Sequence, residues 1–218
     1  MEDISDTHIS KIQDWLGTGS INIFGIQFSG KDTVGKQLAG LFDAEFVSSG
    51  DVMRSTFLND KADQSDAIWQ ASKVGSLSGA LMPTYEFRDM MASYLMRPAL
   101  QDKPLILSTV GRWIGEEGPI MEVLNKTNHP TKAVILLNIS QDEAWSRWRH
   151  SAGERDGGRH DDIDEQAVMK RFAEYQEKTS PVIEVYRNMG ILIEVDGQQS
   201  RDKVMRDTID ALYDFSHA

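Results

Sequence analysis

Cysteine is absent from this chain. That excludes disulfides and thiolate metal sites and makes the cytoplasm the default expectation. Also missing is any apolar run near the roughly 18 residues that span a bilayer, so no membrane partner is expected. The first residues, Met1-Glu2-Asp3-Ile4-Ser5-Asp6, lack the basic and then apolar pattern of a signal peptide. Basic charge is scarce: 23 lysines and arginines face 34 aspartates and glutamates, for a net charge of −11. A nucleic acid polymer is therefore not an expected partner, because its phosphates need a basic surface. An acidic protein that handles phosphates must gather its arginines locally. The five histidines are scattered without ligand spacing, which suits surface or structural roles. The 218 residues contain no internal repeat, and they suffice for one domain or two small ones with a substantial core.

What is present centres on Gly25-Ile26-Gln27-Phe28-Ser29-Gly30-Lys31-Asp32-Thr33. A short apolar run, Ile21-Asn22-Ile23-Phe24, precedes it, and a helical pattern from Val34 to Phe42 follows. The spacing G-x-x-x-x-G-K between strand and helix is that of a phosphate-binding loop. Glycines let backbone N–H groups wrap an anion, and the helix turns its positive end towards the same place. Lys31 can then reach outer phosphates as a point charge. The alternative is a glycine-rich turn with a surface lysine. The pattern has one flaw: the position after the lysine, where a hydroxyl touches magnesium, holds Asp32, and Thr33 comes one later.

Ile9, Ile12 and Leu16 form a stripe on a short helix closed by Gly17, ahead of the first strand. Glu45-Phe46-Val47 reads as a second strand leading into Ser48-Ser49-Gly50-Asp51-Val52-Met53-Arg54. Residues 55–99 are helical in texture. Within them Gly75-Ser76-Leu77-Ser78-Gly79 reads as a loop, and Pro83 starts a helix towards Met96. Pro104 to Val110 and Lys132 to Ile139 are apolar enough for strands covered on both faces. Residues 141–150 are helical. Val168, Phe172 and Tyr175 share a helical face that Pro181 interrupts, with Val182, Ile183 and Tyr186 on a second helix. Ile191 to Val195 is the last strand and Lys203 to Phe215 the last helix. Alternating strands and helices imply a doubly wound α/β sheet, and the polar motifs all follow strands, where such sheets bind ligands. Trp113, Trp145 and Trp148 flank these motifs, either as core or as walls of base pockets.

Taken in order, these motifs resemble the adenylate kinase family of nucleoside monophosphate kinases. Gly25–Thr33 is similar to its phosphate loop, in which the lysine is also followed by a non-hydroxyl residue and then threonine. Ser48–Arg54 resembles S-T-G-D-x-x-R. Leu81-Met82-Pro83 resembles L-V-P, and Gly111-Arg112 the end of D-G-F-P-R. Arg159-His160-Asp161-Asp162 resembles R-x-D-D, and Lys170 to Tyr175 resembles K-R-L-x-x-Y. Thr179 to Ile183 resembles T-x-P-L-I, and Val195-Asp196-Gly197 the closing V-D-G. The resemblance implies a three-layer P-loop NTPase α/β/α fold with a five-stranded parallel sheet. It implies an N-terminal helical extension over 1–20 and a kinase domain over 21–218, with an acceptor-binding insertion at 48–99 and a short lid at 150–163. Gly153, Gly157 and Gly158 would let that lid close over the donor.

The resemblance also implies roles. Gly25, Ser29, Gly30, Lys31, Asp32 and Thr33 would hold the donor's phosphates, with Arg147 stacked on its base. Ser49, Arg54, Met82, Arg112 and Glu116 would bind the acceptor. Lys31, Arg112, Arg155, Arg159 and Arg171 would serve the transferring group. Magnesium would accompany ATP, with no direct protein ligand; Asp51 and Ser108 are candidates to contact its waters. Phosphoryl transfer asks a protein mainly for positioning and charge neutralisation, which guanidinium forks supply well. Read without the loop, the arginines between 147 and 159 would be a solvated segment paired with Glu154, Asp156, Asp161 and Asp162.

Three positions depart from the family, and at the first of them Asp32 replaces a glycine inside the loop. Ser108 stands where the family has an aspartate near magnesium. Glu116 stands where a glutamine reads adenine, and a carboxylate, which accepts but does not donate, suits guanine better. The expected activity is transfer from a nucleoside triphosphate to a monophosphate by a monomer. A catalytically weak nucleotide-binding module of the same fold and a P-loop kinase acting on a small-molecule hydroxyl are the alternatives.

Overall fold

The computed structural model describes residues 6–59, 63–78, 84–151 and 165–218. Five strands run parallel in the order β2-β3-β1-β4-β5. They are β1 (Ser20–Phe24), β2 (Glu45–Ser48), β3 (Leu105–Ser108), β4 (Thr131–Asn138) and β5 (Leu192–Asp196). The three-layer α/β/α architecture expected from the sequence is the one observed. Alternate residues divide between two cores, as the two-residue period of a strand requires. Ile21, Ile23, Ile106, Ala133, Ile135, Leu137, Ile193 and Val195 face one side. There they meet α1 (Asp6–Leu16), α2 (Lys31–Phe42) and α10 (Arg201–Ser216) through Ile12, Leu38, Phe42, Ile209 and Leu212. Val47, Leu105 and Leu107 face the other side and meet Met91 and Leu95 of α5 (Thr84–Leu95) and Ile120 of α6 (Glu117–Lys126). Phe24, Val134 and Leu136 meet Val182, Ile183 and Tyr186 of α9 (Ser180–Asn188). Burial on both faces is why the strands read as near-continuous apolar runs.

The chain leaves β1 towards β2 and later leaves β3 to cross β1 and join β4. The order of winding therefore reverses at β1. A crevice opens at such a switch point, outside the carboxyl ends of the strands. Helix α1 lies on α10: the His8 and Tyr213 rings stack at 3.9 Å, and Trp15 meets Phe215 edge-on at 6.1 Å.

Two local expectations are corrected. Gly75 to Ser78 is not a loop: α4 (Ala67–Ser78) runs through it, lying against α3 (Ser49–Phe57) and α5. Burial of Trp69 and Ser72 outweighs the roughly 1 kcal/mol that one glycine costs a helix. Pro181 does not interrupt its helix either. Helix α8 (Glu165–Glu174) passes into a π turn, Tyr175–Thr179, and then directly into α9. The Ser180 N–H donates to the Tyr175 carbonyl, so the wider turn absorbs the irregularity and the proline lies in the first turn of α9, where its missing N–H is harmless.

Burial pushes the Tyr175 phenol up to about 12. Burial, with the carboxylates of Glu117 and Glu116, pushes Tyr186 up as well. An unfolded tyrosine ionises near about 10, so above that pH the unfolded chain has lost protons that the folded one keeps. The stability these phenols contribute is whole below the unfolded value and disappears as pH rises through the folded one. Tyr175→Phe should flatten the alkaline fall of the urea midpoint between about pH 9 and 12. A slope equal to that of the parent would show that Tyr175 ionises freely in the folded protein.

Candidate active site

The carboxyl ends of all five strands lie on one edge, and the segment after each carries a sequence-predicted group. After β1 the chain turns through Phe28 at φ 65° and Gly30 at φ 90° before α2 begins. Gly30 caps that helix, and a Cβ there would meet nothing within 4 Å, so its approach side is open. At Gly25 a Cβ would lie 2.4 Å from the Ser29 Oγ and 3.0 Å from the Leu137 carbonyl, which only glycine permits. Ser29 is 2% exposed, and its Oγ has no hydrogen-bond partner; nor has the buried Oε1 of Gln27. Buried polar atoms without partners are costly, and here they sit in a loop whose backbone suits an anion.

Arg147, on α7 (Gln141–Ser151), holds this loop from behind. Its Nη1 donates to the carbonyls of Phe28 at 3.4 Å and Ser29 at 3.3 Å, and its Nη2 to the Gly197 carbonyl at 2.7 Å. A trans peptide points N–H opposite to C=O, so the Gly30 N–H faces away from Arg147. Glu143 accepts from the Arg147 Nε at 2.7 Å, one helical turn away. Glu143 is itself placed by a capping arrangement, in which its N–H donates to the Ser140 Oγ at 3.1 Å. With its edge engaged, the guanidinium presents its flat faces to anything stacked upon it. Aromatic packing ties α8 to the same loop. Phe172 meets Phe28 edge-on at 6.5 Å and Trp145 at 5.8 Å, while Trp145 stacks on Trp148 at 4.9 Å. Arg171 is the neighbour of Phe172 and so rides on the element packed against the loop. The α7 tryptophans thus contribute to packing.

After β2, the backbone turns at Ser48 into α3, so the S-S-G-D segment forms a helix N-terminus, with Ser49 buried. Arg54 donates to Asp51 one turn earlier. Both are well exposed, so this pair adds little stability. Asp51, a candidate for magnesium's waters, is engaged with this arginine.

After β3, Asn22 of β1 grips the strand's exit, with its Nδ2 donating to the Val110 carbonyl at 2.7 Å and its Oδ1 accepting from the Val110 N–H at 3.2 Å. Sequence reasoning did not single out Asn22, though one amide amid Ile21, Ile23 and Phe24 was a visible signal. Gly111 and Gly115 take φ 77° and 91° in the turn that follows. Glu116 is 3% exposed, and its Oε2 accepts from the backbone N–H groups of Arg112 at 2.7 Å and Trp113 at 3.2 Å. That carboxylate oxygen shapes the turn carrying Arg112. Lys178, in the π turn, lies 5.0 Å from the centre of the Trp113 ring. Ser108, the last residue of β3, donates from its Oγ to the Asp32 Oδ1 at 2.6 Å, across 76 positions of sequence. Arg155, Arg159, Met82 and most of the expected lid lie outside the described residues.

Residues 24–169 match the family model of an AAA domain, more than half of the chain. An adenylate kinase of Xylella fastidiosa (strain 9a5c) is 30% identical over 87% of this chain and 97% of its own. One from Clavibacter michiganensis subsp. michiganensis is 29% identical over 84% and 86%. Another, from Phocaeicola vulgatus, is 25% identical over 88% and 97%. Similarity that covers nearly the whole of both chains, on a parallel sheet with a phosphate loop after its first strand, makes this chain a member of the adenylate kinase family, phosphotransferases whose acceptor is itself a phosphate group.

Proposed function

We propose that the protein transfers the terminal phosphoryl group of ATP to a nucleoside monophosphate. The reading rests above all on one arrangement: a glycine cradle ending in Lys31 lies on the same sheet edge as the segments bearing Arg54 and Arg112, and α8, which bears Arg171, packs on that cradle through Phe172. A phosphate oxygen of the acceptor attacks the terminal phosphorus. One P–O bond forms there, the bridging P–O bond breaks, and a nucleoside diphosphate leaves. Little covalent work falls to the protein, so its residues position and neutralise. Lys31 and the loop N–H groups hold the donor's phosphates, and the face of Arg147 supports its base. Arg54 and Arg112 grip the acceptor's phosphate, with Glu116 setting the turn that carries Arg112. Arg171, with Arg155 and Arg159, meets the charge that builds on the transferring group. Magnesium, when bound, neutralises phosphate oxygens, and the Asp32–Ser108 pair and Thr33 fit its preference for oxygen donors. That carboxylate supports an active enzyme over an inactive binding module, for which Ser108 was the argument.

No helix among the described residues is long and apolar enough to cross a membrane. The proposed reading is of a cytoplasmic monomer acting on free nucleotides, and at a net charge of −11 it is local arginine clusters that must bind such small anionic substrates.

The test is a coupled assay on a panel of monophosphates, with and without magnesium. Arg54→Ala and Arg112→Ala should each raise KM for the monophosphate by about 10- to 100-fold, the worth of hydrogen bonds to a charged group, and change KM for the triphosphate far less. Transfer to no monophosphate would end the reading. Indifference to both substitutions would favour a small-molecule hydroxyl as acceptor.

A further inference from the structure

Two departures from the family's pattern are far apart in the sequence and touch in the fold. Asp32 holds the position after the loop lysine, where the adenylate kinase loop has glycine, while Thr33 keeps the hydroxyl that P-loop enzymes place on magnesium. Ser108 ends a neighbouring strand, on the edge from which such enzymes supply a carboxylate to the same ion. The Ser108 Oγ–H donates to the Asp32 Oδ1 at 2.6 Å. The carboxylate missing from the strand end is thus present on α2, in contact with the serine that stands in its former place. Accepting the function proposed above, we propose that Asp32 and Ser108 form the divalent-cation site of this enzyme, with the carboxylate coming from α2 and the hydroxyl from β3.

The charge argument is independent of the pattern. A carboxylate one residue beyond Lys31, on the first turn of α2, stands where the phosphates of a triphosphate gather. Without a cation the two repel. A divalent ion between carboxylate and phosphate oxygens turns that repulsion into a bridge. Ser108 is 3% exposed, and its hydroxyl fixes one carboxylate oxygen, so Asp32 is held in place before any ligand arrives. Among the described residues no three acidic or histidine side chains gather as a metal cage. An ion bound by this pair must complete its shell with phosphate oxygens and water, as magnesium commonly does with one or two carboxylates. Ser29, buried in the same loop with its Oγ unpartnered, supplies a donor for a phosphate oxygen. Metal and nucleotide should therefore bind as a unit.

The experiment uses the full chain and a non-hydrolysable ATP analogue. Calorimetry gives analogue affinity with and without Mg2+, and Mn2+ relaxation of water protons gives metal affinity in the ternary complex. Asp32→Asn should weaken Mn2+ binding by about 10- to 100-fold. It should bind the metal-free analogue at least as tightly as the parent, because the repulsion is gone. The double variant D32G/S108D, which returns the carboxylate to the strand end, should recover most of the metal affinity. Should Asp32→Asn fail to fold, as read by thermal melting, D32G/S108D decides alone: near-parental Mn2+ affinity supports the moved carboxylate and its loss overturns it. Parental Mn2+ affinity in folded Asp32→Asn overturns the inference and leaves the proposed function standing. A parent protein that binds no analogue, with or without metal, overturns both.

Discussion

Lys31→Ala is expected to lower kcat/KM for phosphoryl transfer by about 10³-fold or more and to leave the fold intact. Removing a single preorganised donor at developing charge costs about 10²- to 10³-fold in rate. Lys31 adds a full positive charge at a helix N-terminus that already favours anions. The side chain is only half-buried at the first position of α2, so its loss opens no cavity in the core. Thermal melting should therefore hold while turnover collapses. Lys31→Arg should recover only part of the rate, because a planar fork does not replace a compact ammonium at the end of a glycine loop. A loss below about tenfold for Lys31→Ala would mean that the loop does not cradle the reacting phosphates.

Asn22→Ala carries the largest expected cost to stability. The side chain is 2% exposed, and it satisfies both backbone groups of Val110, itself fully buried. Alanine leaves a buried N–H and a buried C=O without partners, at about 1–3 kcal/mol each. A loss of roughly 2–6 kcal/mol corresponds to a fall of about 4–24 °C in Tm for a chain of this size. Activity should fall further than stability alone explains. The amide fixes the exit of β3, which ends in Ser108 and leads into Gly111 and Arg112, residues of the proposed site. A parental Tm would show that β3 keeps its course without this clamp.

The layers of this fold could be read from the chain because burial leaves a period in the sequence. The strands at Leu105–Ser108 and Thr131–Asn138 announced themselves as apolar runs, and Gly25–Lys31 as a loop between strand and helix. Where local rules failed, packing was the reason. Gly75 stays helical because α3 and α5 lie against α4, and Pro181 is absorbed by a π turn. The site divides the same way. Lys31 stood out through the spacing of its loop, and Arg54, Arg112, Arg147 and Arg171 through the family resemblance, but the partners of these side chains were not visible. Arg147 could be assigned to a base from resemblance; its bonds to the Phe28, Ser29 and Gly197 carbonyls join elements 50 to 119 residues apart. Resemblance alone gives Glu116 a base-recognising role; the structure adds that its Oε2 takes two backbone N–H groups.

By itself the sequence determined a doubly wound sheet, an anion cradle after its first strand and a supply of guanidinium groups, since each is encoded in residues near one another along the chain. Only the tertiary structure decided which distant groups share a hydrogen bond: Asp32 with Ser108, and Asn22 with Val110. The reason is geometric. Parallel strands bring the ends of remote segments within a few ångströms of each other, and which side chains meet there depends on register, which no local pattern records.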